Sequence, residues 1–539
     1  MNSTDPTTVA ASIASSIAAP VRRATFGDQL RRNAARLGDR SAIIALHTPT
    51  AERDVVTYAE LNTRANRLAH SLLAAGVGPG DVVATMGRNS VGSVVAFWAA
   101  AKIGAAVTGV NYTFTGREIH YQLSHSDAKA LVCEDAFVDK IDSLTEPVPA
   151  LELRIVNKVA GPADTPDGWQ DLDALLDAGE ATEPDVAVDE THLGILPCTS
   201  GTEALPKAVA IPQRNYFVST MPAFVTGLGL VEDDVFYYVM PFHTIAGMGT
   251  QITLLCLGNT IVLPFAVDPA QALDALVTEK VTVVGQTPTF FLQVIRAPGF
   301  DDADLSSLRR AISYGGTMPK AMFEGFATAC PDIEWVTLWS QSELSQTPTI
   351  GRFRSLDDAP NQDPSWIGRP TAQLEVRVID ADGNDAPEGE LICRSPGVMR
   401  GYHKDPERTA EVLRDGWLHT GGNVRIDEVG NLCFVDRKKD LIKSGGMNVS
   451  SVEVERVLYQ HPAVLEVAVV GVDDEYWGQR VTAFLVPRPD ATVDVEEVRA
   501  FCKEQLAAYK VPKDVNVVET LPKDTQGKIL KRELRRSVN

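Results

Sequence analysis

Apolar and polar residues along the first part of the chain alternate between helical and extended patterns. Thr57-Tyr-Ala-Glu60 has the capping-box pattern that begins helices. It precedes four apolar residues at helical spacing, Leu61, Ala65, Leu68 and Leu72. Further segments then predict, in order, a strand over Val82–Met86, a helix over Ser90–Ile103, a strand over Ala105–Val110, a helix over Arg117–His125 and a strand over Lys129–Cys133. This order is typical of layered α/β architecture with a mostly parallel sheet.

Strand-like runs continue through the rest of the chain, first with helical segments between them and then without. The α/β alternation predicts strands over Val235–Met240, Thr260–Pro264, Thr282–Thr287 and Ala311–Tyr314. After about Gly368, short strands separated by tight turns predict a β-rich subdomain, with strands over Leu374–Asp380, Glu390–Arg394 and Asn431–Val435. From Ser450 onward, a helix, strand, strand, helix order indicates a small separate α/β unit.

Composition limits the classes of partner. A chain of 539 residues is expected to form two or more domains. Its formal net charge of −21 disfavours nucleic acid and anionic membranes as partners, so an anionic substrate needs a local basic pocket. Seven cysteines are scattered without Cys-x-x-Cys spacing, which favours buried reduced thiols over disulfides or a zinc site. We expect a cytoplasmic protein. The N-terminal twenty residues lack the basic region and the long apolar region of a signal peptide. The apolar stretches Val91–Val110 and Thr244–Val267 are interrupted by lysine, glycine or proline, which indicates buried helix, turn and strand and disfavours membrane spans.

The stretch Thr199–Lys207 has the residue types of a phosphate-binding loop. It follows His192–Cys198, an apolar run that predicts a buried strand. Thr199, Ser200 and Thr202 supply hydroxyl donors, Gly201 permits close approach of the backbone to a phosphate, and Lys207 supplies a positive charge. The Walker pattern is absent. Taken alone, the composition fits an ordinary polar turn equally well.

Four more segments accompany this loop, and their order and spacing are informative. They are Trp339–Glu343, Gly416–Gly421, Asp436–Asp440 with Gly445–Asn448 after it, and Leu521–Lys528. Together with Thr199–Lys207 they resemble the adenylate-forming superfamily, which contains acyl-CoA synthetases, adenylation enzymes and firefly luciferase. The pattern is most similar to that of the acyl-CoA synthetases, and the resemblance covers nearly the whole chain.

The resemblance implies a two-step reaction. A carboxylic acid reacts with ATP to give an acyl-adenylate and pyrophosphate, and the acyl group then passes to coenzyme A. ATP, Mg²⁺ and coenzyme A are therefore the implied cofactors. A carrier-protein thiol or another nucleophile is an alternative acceptor, and a nucleotide-binding homologue with impaired catalysis is a third possibility.

The resemblance also implies a domain organisation. Residues 1–22 form a flexible lead-in, residues 23–436 a large N-terminal adenylation domain of layered α/β subdomains plus the β-rich subdomain, and residues 437–539 a small mobile α/β domain. A hinge near Lys439 rotates the small domain between the two reactions.

Residue roles follow from the matching motifs. Lys528 bridges the carboxylate and phosphate oxygens, His243 adjoins the carboxylate, and Glu343 is both a catalytic residue and the magnesium ligand. The implied ATP-binding residues, besides Lys528, are Thr199, Ser200, Gly201, Thr202, Lys207, Gly315, Gly316, Trp339, Ser342 and Arg437. The implied acid pocket contains Phe242, His243, Gly285, Tyr314 and Gly315, and the implied coenzyme A site contains Lys443, Gly445 and Gly446.

Structural interpretations compete with several of these roles. Trp339 and His243 also fit a core position, since each follows an apolar run. Gly445 and Gly446 also fit a plain turn before Ser450, a helix N-cap. The basic segment Lys528–Arg536 is most simply a solvated helix face.

Three departures from the family pattern matter. The phosphate loop carries Glu203 and Ala204, and Ala208 follows its lysine, in place of a threonine and two glycines. Trp339-Ser340 replaces Tyr-Gly. Gly422 stands where the family has an aspartate that holds both ribose hydroxyls, and each such hydrogen bond contributes about 1.5–3 kcal/mol. Asn423 or Asp427 are the nearby candidates for a substitute.

Overall fold

A computed structural model describes residues 24–538 except 162, 200–205, 315–317, 319, 364, 438–439, 446, 490 and 526. The described strands are β1 Ser41–Leu46, β2 Arg53–Thr57, β3 Val82–Met86, β4 Ala106–Val110, β5 Ala128–Glu134, β6 Leu153–Asn157, β7 Gln170–Asp171, β8 Leu193–Ile195, β9 Cys198–Thr199, β10 Lys207–Pro212, β11 Val235–Tyr237, β12 Thr260–Pro264, β13 Val283–Gln286, β14 Arg310–Ser313, β15 Glu334–Trp339, β16 Thr349–Phe353, β17 Trp366–Pro370, β18 Glu375–Ile379, β19 Glu388–Arg394, β20 Gly401–Tyr402, β21 Leu413–Arg414, β22 Trp417–Ile426, β23 Leu432–Arg437, β24 Ile442–Ser444, β25 Met447–Val449, β26 Val464–Asp474, β27 Gly478–Pro487 and β28 Asp514–Val517.

Helices are distributed among these strands along most of the chain. The described α-helices are α1 Phe26–Arg36, α2 Tyr58–Ala74, α3 Val91–Lys102, α4 Gly116–His125, α5 Val138–Asp142, α6 Leu172–Ala178, α7 Gln213–Asn215, α8 Met221–Ala223, α9 Ile245–Leu257, α10 Pro269–Thr278, α11 Pro288–Ile295, α12 Lys320–Ala329, α13 Pro406–Val412, α14 Ser451–Leu458, α15 Val495–Gln505 and α16 Lys531–Val538. In the part of the chain that the structure describes, none of the helices combines the length and apolar character needed to cross a membrane.

The chain divides into two compact units. Unit 1 contains the residues up to Val267 together with Gln341–Thr347 and Ser395–Thr409. Unit 2 contains Asp268–Ser340, Pro348–Arg394 and the residues from Ala410 onward. The predicted domain boundaries at residues 22 and 436 remain predictions.

Unit 1 contains two groups of paired strands. One has the order β20-β10-β8-β4-β3-β5-β6-β7, and its strands β4, β3, β5 and β6 are parallel neighbours. The other pairs β11, β12 and β1 in parallel and adds β2 antiparallel at the edge. The helices α2 and α4 start where the sequence places capping boxes, at Thr57 with Glu60 and at Thr115 with Glu118. The alternation predicted over residues 57–133 is confirmed to within one or two residues at each element end.

One predicted strand in unit 1 is shorter than expected. The apolar run His192–Cys198 forms only β8 and, after a break, the first residue of β9. Pro197 explains the break, because a proline has no N–H to donate to a ladder. Its carbonyl still accepts a hydrogen bond from Val209 N at 3.0 Å.

Unit 2 combines parallel and antiparallel strands. Strands β13, β14 and β15 are parallel, and β16, β17, β23, β22, β19 and β18 continue from β15 with antiparallel pairing. The predicted β-rich subdomain corresponds to these antiparallel strands. The segment from Ser450 forms α14, β26, β27 and α15 in the predicted order, and β28 then adds to β27 in parallel.

The start of α14 is joined to the end of β23 by three hydrogen bonds. The buried carboxylate of Asp436 accepts from Ser451 N at 2.8 Å and from Ser451 Oγ at 2.6 Å. Ser450 Oγ donates to Val435 O at 2.6 Å. These bonds connect segments on either side of residues 438–439.

The basic C-terminal segment is more than the solvated face that the sequence suggested. Helix α16 buries Leu534 against a cluster that includes Val470 and Phe484. Lys531 Nζ lies 2.8 Å from Glu455 Oε1, and Arg535 Nη2 lies 2.7 Å from Asp440 Oδ1. Burial is the largest influence on the Glu455 carboxyl and raises its pKa, although Lys531 opposes the shift. The basic residues of α16 are therefore not only a solvated face, because two of them form ion pairs that help hold the helix in place.

Candidate active site

Several predicted site residues lie outside the described residues. They are Ser200, Gly201, Thr202, Gly315, Gly316, Lys439 and Gly446, together with Glu203 and Ala204 of the atypical loop. The remaining predicted residues fall into two groups, one in each unit.

In unit 1, the two ends of the predicted phosphate loop are adjacent. Thr199 and Lys207 pair across β9 and β10, and Thr199 Oγ1 donates to Lys207 O at 3.5 Å. The Lys207 ammonium lies 5.1 Å from the ring centroid of Tyr402, a cation–π contact. The ends of the loop are thus fixed by strand pairing, and the lysine is positioned near an aromatic face.

Glu343 lies in the same unit, in a short 3₁₀ helix, Ser342–Leu344. Its Oε1 accepts a hydrogen bond of 2.8 Å from the Tyr402 hydroxyl, and its backbone oxygen accepts one of 2.8 Å from Met399 N. Among the described residues, no group of three or more His, Cys, Asp and Glu side chains could hold a metal ion. A single carboxylate nevertheless fits Mg²⁺, because this ion is usually held by one or two carboxylates, with phosphate and water oxygens completing the shell.

His243, also in unit 1, is buried at 7% exposure just before helix α9. Its ring contacts the ring of Tyr112 edge-on, with centroids 5.7 Å apart. A Cβ on Gly109 would lie only 2.3 Å from His243 Cα, so this glycine permits β4 to pack directly under the histidine backbone. Burial lowers the pKa of His243 to about 4, which leaves the imidazole neutral at pH 7.

Two further aromatic contacts involve Tyr112, which touches His243, and Phe242, which precedes it in the chain. Tyr112 stacks on Phe137 with centroids 5.0 Å apart, and Phe242 lies 5.5 Å from Tyr238. The backbone of Phe242 is fixed by Asn89, whose Oδ1 accepts the Phe242 N–H at 3.0 Å. His243 is thus buried like a core residue and lies beside aromatic rings that could also contact a ligand. The core and ligand interpretations of this residue therefore do not exclude each other.

Gly285, Tyr314 and Trp339 belong to unit 2, at the ends of its parallel strands. Tyr314 follows β14, and its hydroxyl donates to Gly285 O on β13 at 3.5 Å. Burial raises the pKa of Tyr314. Trp339 ends β15 opposite Thr349 and is only half-buried, so its ring is not enclosed in a core. Ligands of open α/β sheets bind at the carboxyl ends of strands, where these residues lie.

Lys528 lies in a tight loop of unit 2. Its N–H donates to Asp524 Oδ1 at 2.9 Å, and its carbonyl accepts from Asp524 N at 2.8 Å. The preceding Gly527 has φ +79°, and a Cβ there would lie 3.7 Å from Thr287 Oγ1, one residue after β13. Burial lowers the pKa of Lys528; Asp524 opposes this shift and Arg437 adds to it. The loop therefore places Gly527, the residue before Lys528, near Thr287, and the charge of Arg437 affects the pKa of Lys528.

Gly422 lies directly opposite Arg437 in the β22–β23 pair. Its φ is not in the left-handed region, and a Cβ there would meet Phe434 and Thr420 at 3.5 Å, an ordinary contact distance. Of the two candidate substitutes, Asp427 accepts Val429 N and Asn431 N in a turn five residues further along the chain. Asn423 lies opposite Asp436, where the register of the pair shifts.

The predicted coenzyme A residues Lys443 and Gly445 lie in and after β24, in unit 2. Gly445 has φ +59° and donates its N–H to Trp477 O at 2.7 Å. A Cβ on Gly445 would approach the Trp477 ring to 3.2 Å. These contacts agree with the interpretation of Gly445 as part of a turn. Ser450 caps α14 as predicted, which agrees with the same interpretation.

Sequence reasoning missed the aromatic residues that contact predicted site residues. These are Tyr112 beside His243, Tyr402 between Lys207 and Glu343, and Trp477 beside Gly445. Tyr112 follows Asn111, Tyr402 follows Gly401 and Trp477 follows Tyr476, each in a segment in which we identified no motif, so no local signal marked them.

Comparisons with known proteins identify the family of this chain. A family model described as AMP-binding enzyme matches residues 30–403, and one described as AMP-binding enzyme C-terminal domain matches residues 453–528. The chain belongs to the AMP-binding enzyme family. The enzyme class predicted from the sequence, an AMP-forming acid–thiol ligase, is confirmed, and so are the predicted family and α/β fold class.

Individual members of the AMP-binding enzyme family are similar along most of their length. The chain is 34% identical over 487 residues to feruloyl-CoA synthase from Amycolatopsis sp, covering 89% of this chain and 94% of that one. It is 30% identical over 508 residues to the fatty acid–[acyl-carrier-protein] ligase ScoC from Streptomyces coeruleorubidus, covering 91% and 94%. The anthranilate CoA ligase AuaEII, solved in complex with anthranoyl-AMP, has a TM-score of 0.84 and 25% identity, covering 96% and 97%.

Replacing His243 tests the buried neutral imidazole. The folded pKa of about 4 lies below the ordinary value near 6.5, so between these pH values the unfolded chain binds a proton that the folded chain does not. The free energy of unfolding of the wild type should therefore fall as the pH drops from 6.5 to 4, by about 3 kcal/mol from this residue. In His243→Gln this contribution should disappear, as measured by urea unfolding across that range. Equal pH slopes in both proteins would contradict the assignment.

Restoring a carboxylate at position 422 tests the ribose contact. Gly422→Asp should lower the ATP Michaelis constant about tenfold to a hundredfold, because a charged acceptor for ribose hydroxyls is regained. The backbone and the 3.5 Å contacts accommodate the side chain. Gly422→Asn, which has the same shape without the charge, is the matched control and should give a much smaller change. An unchanged constant in Gly422→Asp would mean that the ribose is held by other residues.

Proposed function

We propose that this AMP-binding enzyme activates a ring-bearing, aromatic carboxylic acid with ATP and Mg²⁺ and transfers the acyl group to coenzyme A. The observation that carries the choice of acid is the presence of aromatic rings at His243 and its neighbours: Tyr112 contacts the His243 ring and stacks on Phe137, and Phe242, next to His243 in the chain, contacts Tyr238. Flat apolar rings favour stacking and edge contacts with a ring-bearing ligand. The names of feruloyl-CoA synthase and of the anthranilate CoA ligase support the same class.

The first step must overcome repulsion between two anions. A carboxylate oxygen attacks the α-phosphorus of ATP, the bond from that phosphorus to the bridging oxygen breaks, and pyrophosphate leaves. The Lys528 ammonium neutralises charge at the carboxylate and α-phosphate, and Lys207 neutralises charge at the departing phosphates. When bound, Mg²⁺ screens the triphosphate, and Glu343 is the residue that would hold it. The lowered pKa of Lys528 reflects the desolvation that strengthens such contacts.

The neutral state of His243 suits this chemistry. An imidazolium would form an ion pair with the substrate carboxylate and reduce its ability to attack phosphorus. An imidazole with a pKa of about 4 orients the acid through contact and hydrogen bonding without that loss.

The second step exchanges the mixed anhydride between the acyl group and the phosphate for a thioester. The sulfur of coenzyme A attacks the acyl carbon, the bond from that carbon to the phosphate oxygen breaks, and AMP leaves as the thiol gives up its proton. We assign the thiol arm to the surface near Lys443 and Gly445, after a rotation about Lys439.

A cytoplasmic location also remains a proposal.

A carrier-protein thiol is the second candidate acceptor. The observation in its favour is the 30% identity to a fatty acid–[acyl-carrier-protein] ligase over 91% of this chain. Impaired catalysis, the third possibility, has Gly422 in its favour and the co-occurrence of Lys528, Glu343 and Arg437 against it.

A panel of acids tests the reaction and the acid class together. Pyrophosphate release should be fastest with ferulate, 4-coumarate, benzoate, anthranilate or indoleacetate, with kcat/KM at least about tenfold above that for hexanoate or palmitate. Adding coenzyme A should yield the thioester, detected by mass spectrometry. Preference for the aliphatic acids would overturn the aromatic assignment. Release without thioester would favour another acceptor, and no release with any acid would exclude the proposed reaction.

Replacing Lys528 tests whether this lysine acts in adenylation and has little effect on transfer to coenzyme A. Lys528→Ala should slow adenylation by about a hundredfold or more, since charge stabilisation at the reacting phosphate is lost. Transfer from supplied acyl-adenylate to coenzyme A should change much less. Lys523→Ala, in the same loop but paired with Glu466 at 2.7 Å, is the control and should leave both steps near wild type. Equal loss of both steps in Lys528→Ala would contradict the rotation between them.

A further inference from the structure

Tyr402 contacts two residues that the proposed function assigns to ATP. Its hydroxyl donates to Glu343 Oε1 at 2.8 Å, and its ring centroid lies 5.1 Å from Lys207 Nζ. All three residues belong to unit 1. No motif in the sequence pointed to this tyrosine, and its two contacts link the predicted metal ligand to the predicted phosphate lysine.

Backbone pairing fixes the tyrosine next to the phosphate loop. Strand β20 pairs with β10, so that Tyr402 lies opposite Val209, two residues after Lys207. The Tyr402 N–H donates to Thr409 Oγ1 at 2.9 Å, and the next residue, His403, donates its N–H to Ala208 O at 2.8 Å. With an exposure of only 8%, Tyr402 has little freedom to move.

The segment that carries Glu343 is tied to the segment that carries Tyr402. Met399 N donates to Glu343 O at 2.8 Å. The buried side chain of Asn215 donates to Ser345 Oγ and to Val398 O, each at 3.0 Å. The carboxylate and the phenol therefore meet because their backbones are fixed, and the contact does not depend on two flexible side chains.

The phenol is a permanent donor at neutral pH. The ordinary pKa of a tyrosine hydroxyl is near 10, so the group carries its proton at neutral pH. A carboxylate with one oxygen held by an O–H donor presents its second oxygen in a fixed direction. The aromatic face attracts the Lys207 ammonium without accepting a conventional hydrogen bond, which leaves the N–H groups for phosphate oxygens.

We propose that Tyr402 is a positioning residue for the metal–triphosphate part of ATP. It orients the Glu343 carboxylate toward the metal ion through its hydroxyl and holds Lys207 at the phosphates through its ring. This inference rests on the proposed function, since it takes Mg²⁺ and ATP as the ligands of these residues.

Metal binding in a complex that does not turn over is the direct test. Mn²⁺ replaces Mg²⁺, and α,β-methylene-ATP replaces ATP, because its bridging carbon prevents cleavage at the α-phosphate. The dissociation constant of Mn²⁺ is measured by electron paramagnetic resonance of free Mn²⁺ at saturating analogue. Tyr402→Phe, which retains the ring, should raise this constant about tenfold through loss of the hydrogen bond to a charged group. Affinity for metal-free analogue should change less than twofold.

A second variant separates the two contacts. Tyr402→Leu removes the ring as well as the hydroxyl, so affinity for the metal-free analogue should also fall, by about threefold or more. The matched control is Tyr58→Phe, which removes a buried hydroxyl that donates to Asn259 O at 2.7 Å in the same unit. This control should lower thermal stability and leave Mn²⁺ affinity at the wild-type value.

A double variant tests whether Tyr402 acts through Glu343. Glu343→Gln should weaken Mn²⁺ binding by itself, and Tyr402→Phe added to it should weaken binding by less than a further twofold. Additive effects would overturn the proposal, as would an unchanged Mn²⁺ constant in Tyr402→Phe with wild-type nucleotide binding. If the wild type shows no metal-dependent nucleotide binding and no pyrophosphate release, the proposed function fails and this inference fails with it. Normal wild-type binding with an inert Tyr402→Phe overturns this inference alone.

Discussion

Electrostatic repulsion between a carboxylate and a triphosphate is the constraint on which this molecule depends. The chain carries a formal net charge of −21, so its average field opposes both substrates. A few cationic side chains must therefore act locally and at short range. Lys207 is held over the ring of Tyr402, and Lys528 is held in a tight loop with Asp524, where burial lowers its pKa. In partly desolvated surroundings each charge has a larger effect on its neighbour than it would in water.

The fold was largely predictable because local signals and tertiary structure agree. Several elements are specified by local signals in residues that also take part in the packing of the element. These signals are the capping box at Thr57, the N-cap at Ser450 and the apolar runs over Val82–Met86 and Thr260–Pro264. Local signals were insufficient where a single residue interrupted the pattern. Pro197 divides one expected strand into two short ones, and helix α16 packs on the small α/β unit although its sequence is mostly basic.

The candidate site was predictable only where residues are close in the sequence. The motif residues Lys207, Glu343 and Lys528 could be named because each lies in a short conspicuous segment. Tyr402 could not, because it follows Glu343 by 59 residues and meets it through contacts between segments that are distant in the sequence. Likewise, the close approach of Gly109 to His243 depends on packing between segments more than a hundred residues apart. Such contacts are properties of the folded chain and leave no periodic trace in the sequence.

The bonds between β23 and α14 also bear on the rotation of the small domain. Asp436 with Ser451, and Ser450 with Val435, connect the two sides of the predicted hinge at Lys439. A rotation about that residue must break them before it can gain new contacts. An ordinary hydrogen bond contributes about 1 kcal/mol and one to a carboxylate contributes more, so these bonds oppose the proposed rotation. In the proposed reaction, the energy that breaks them comes from the change in bound ligand after adenylation.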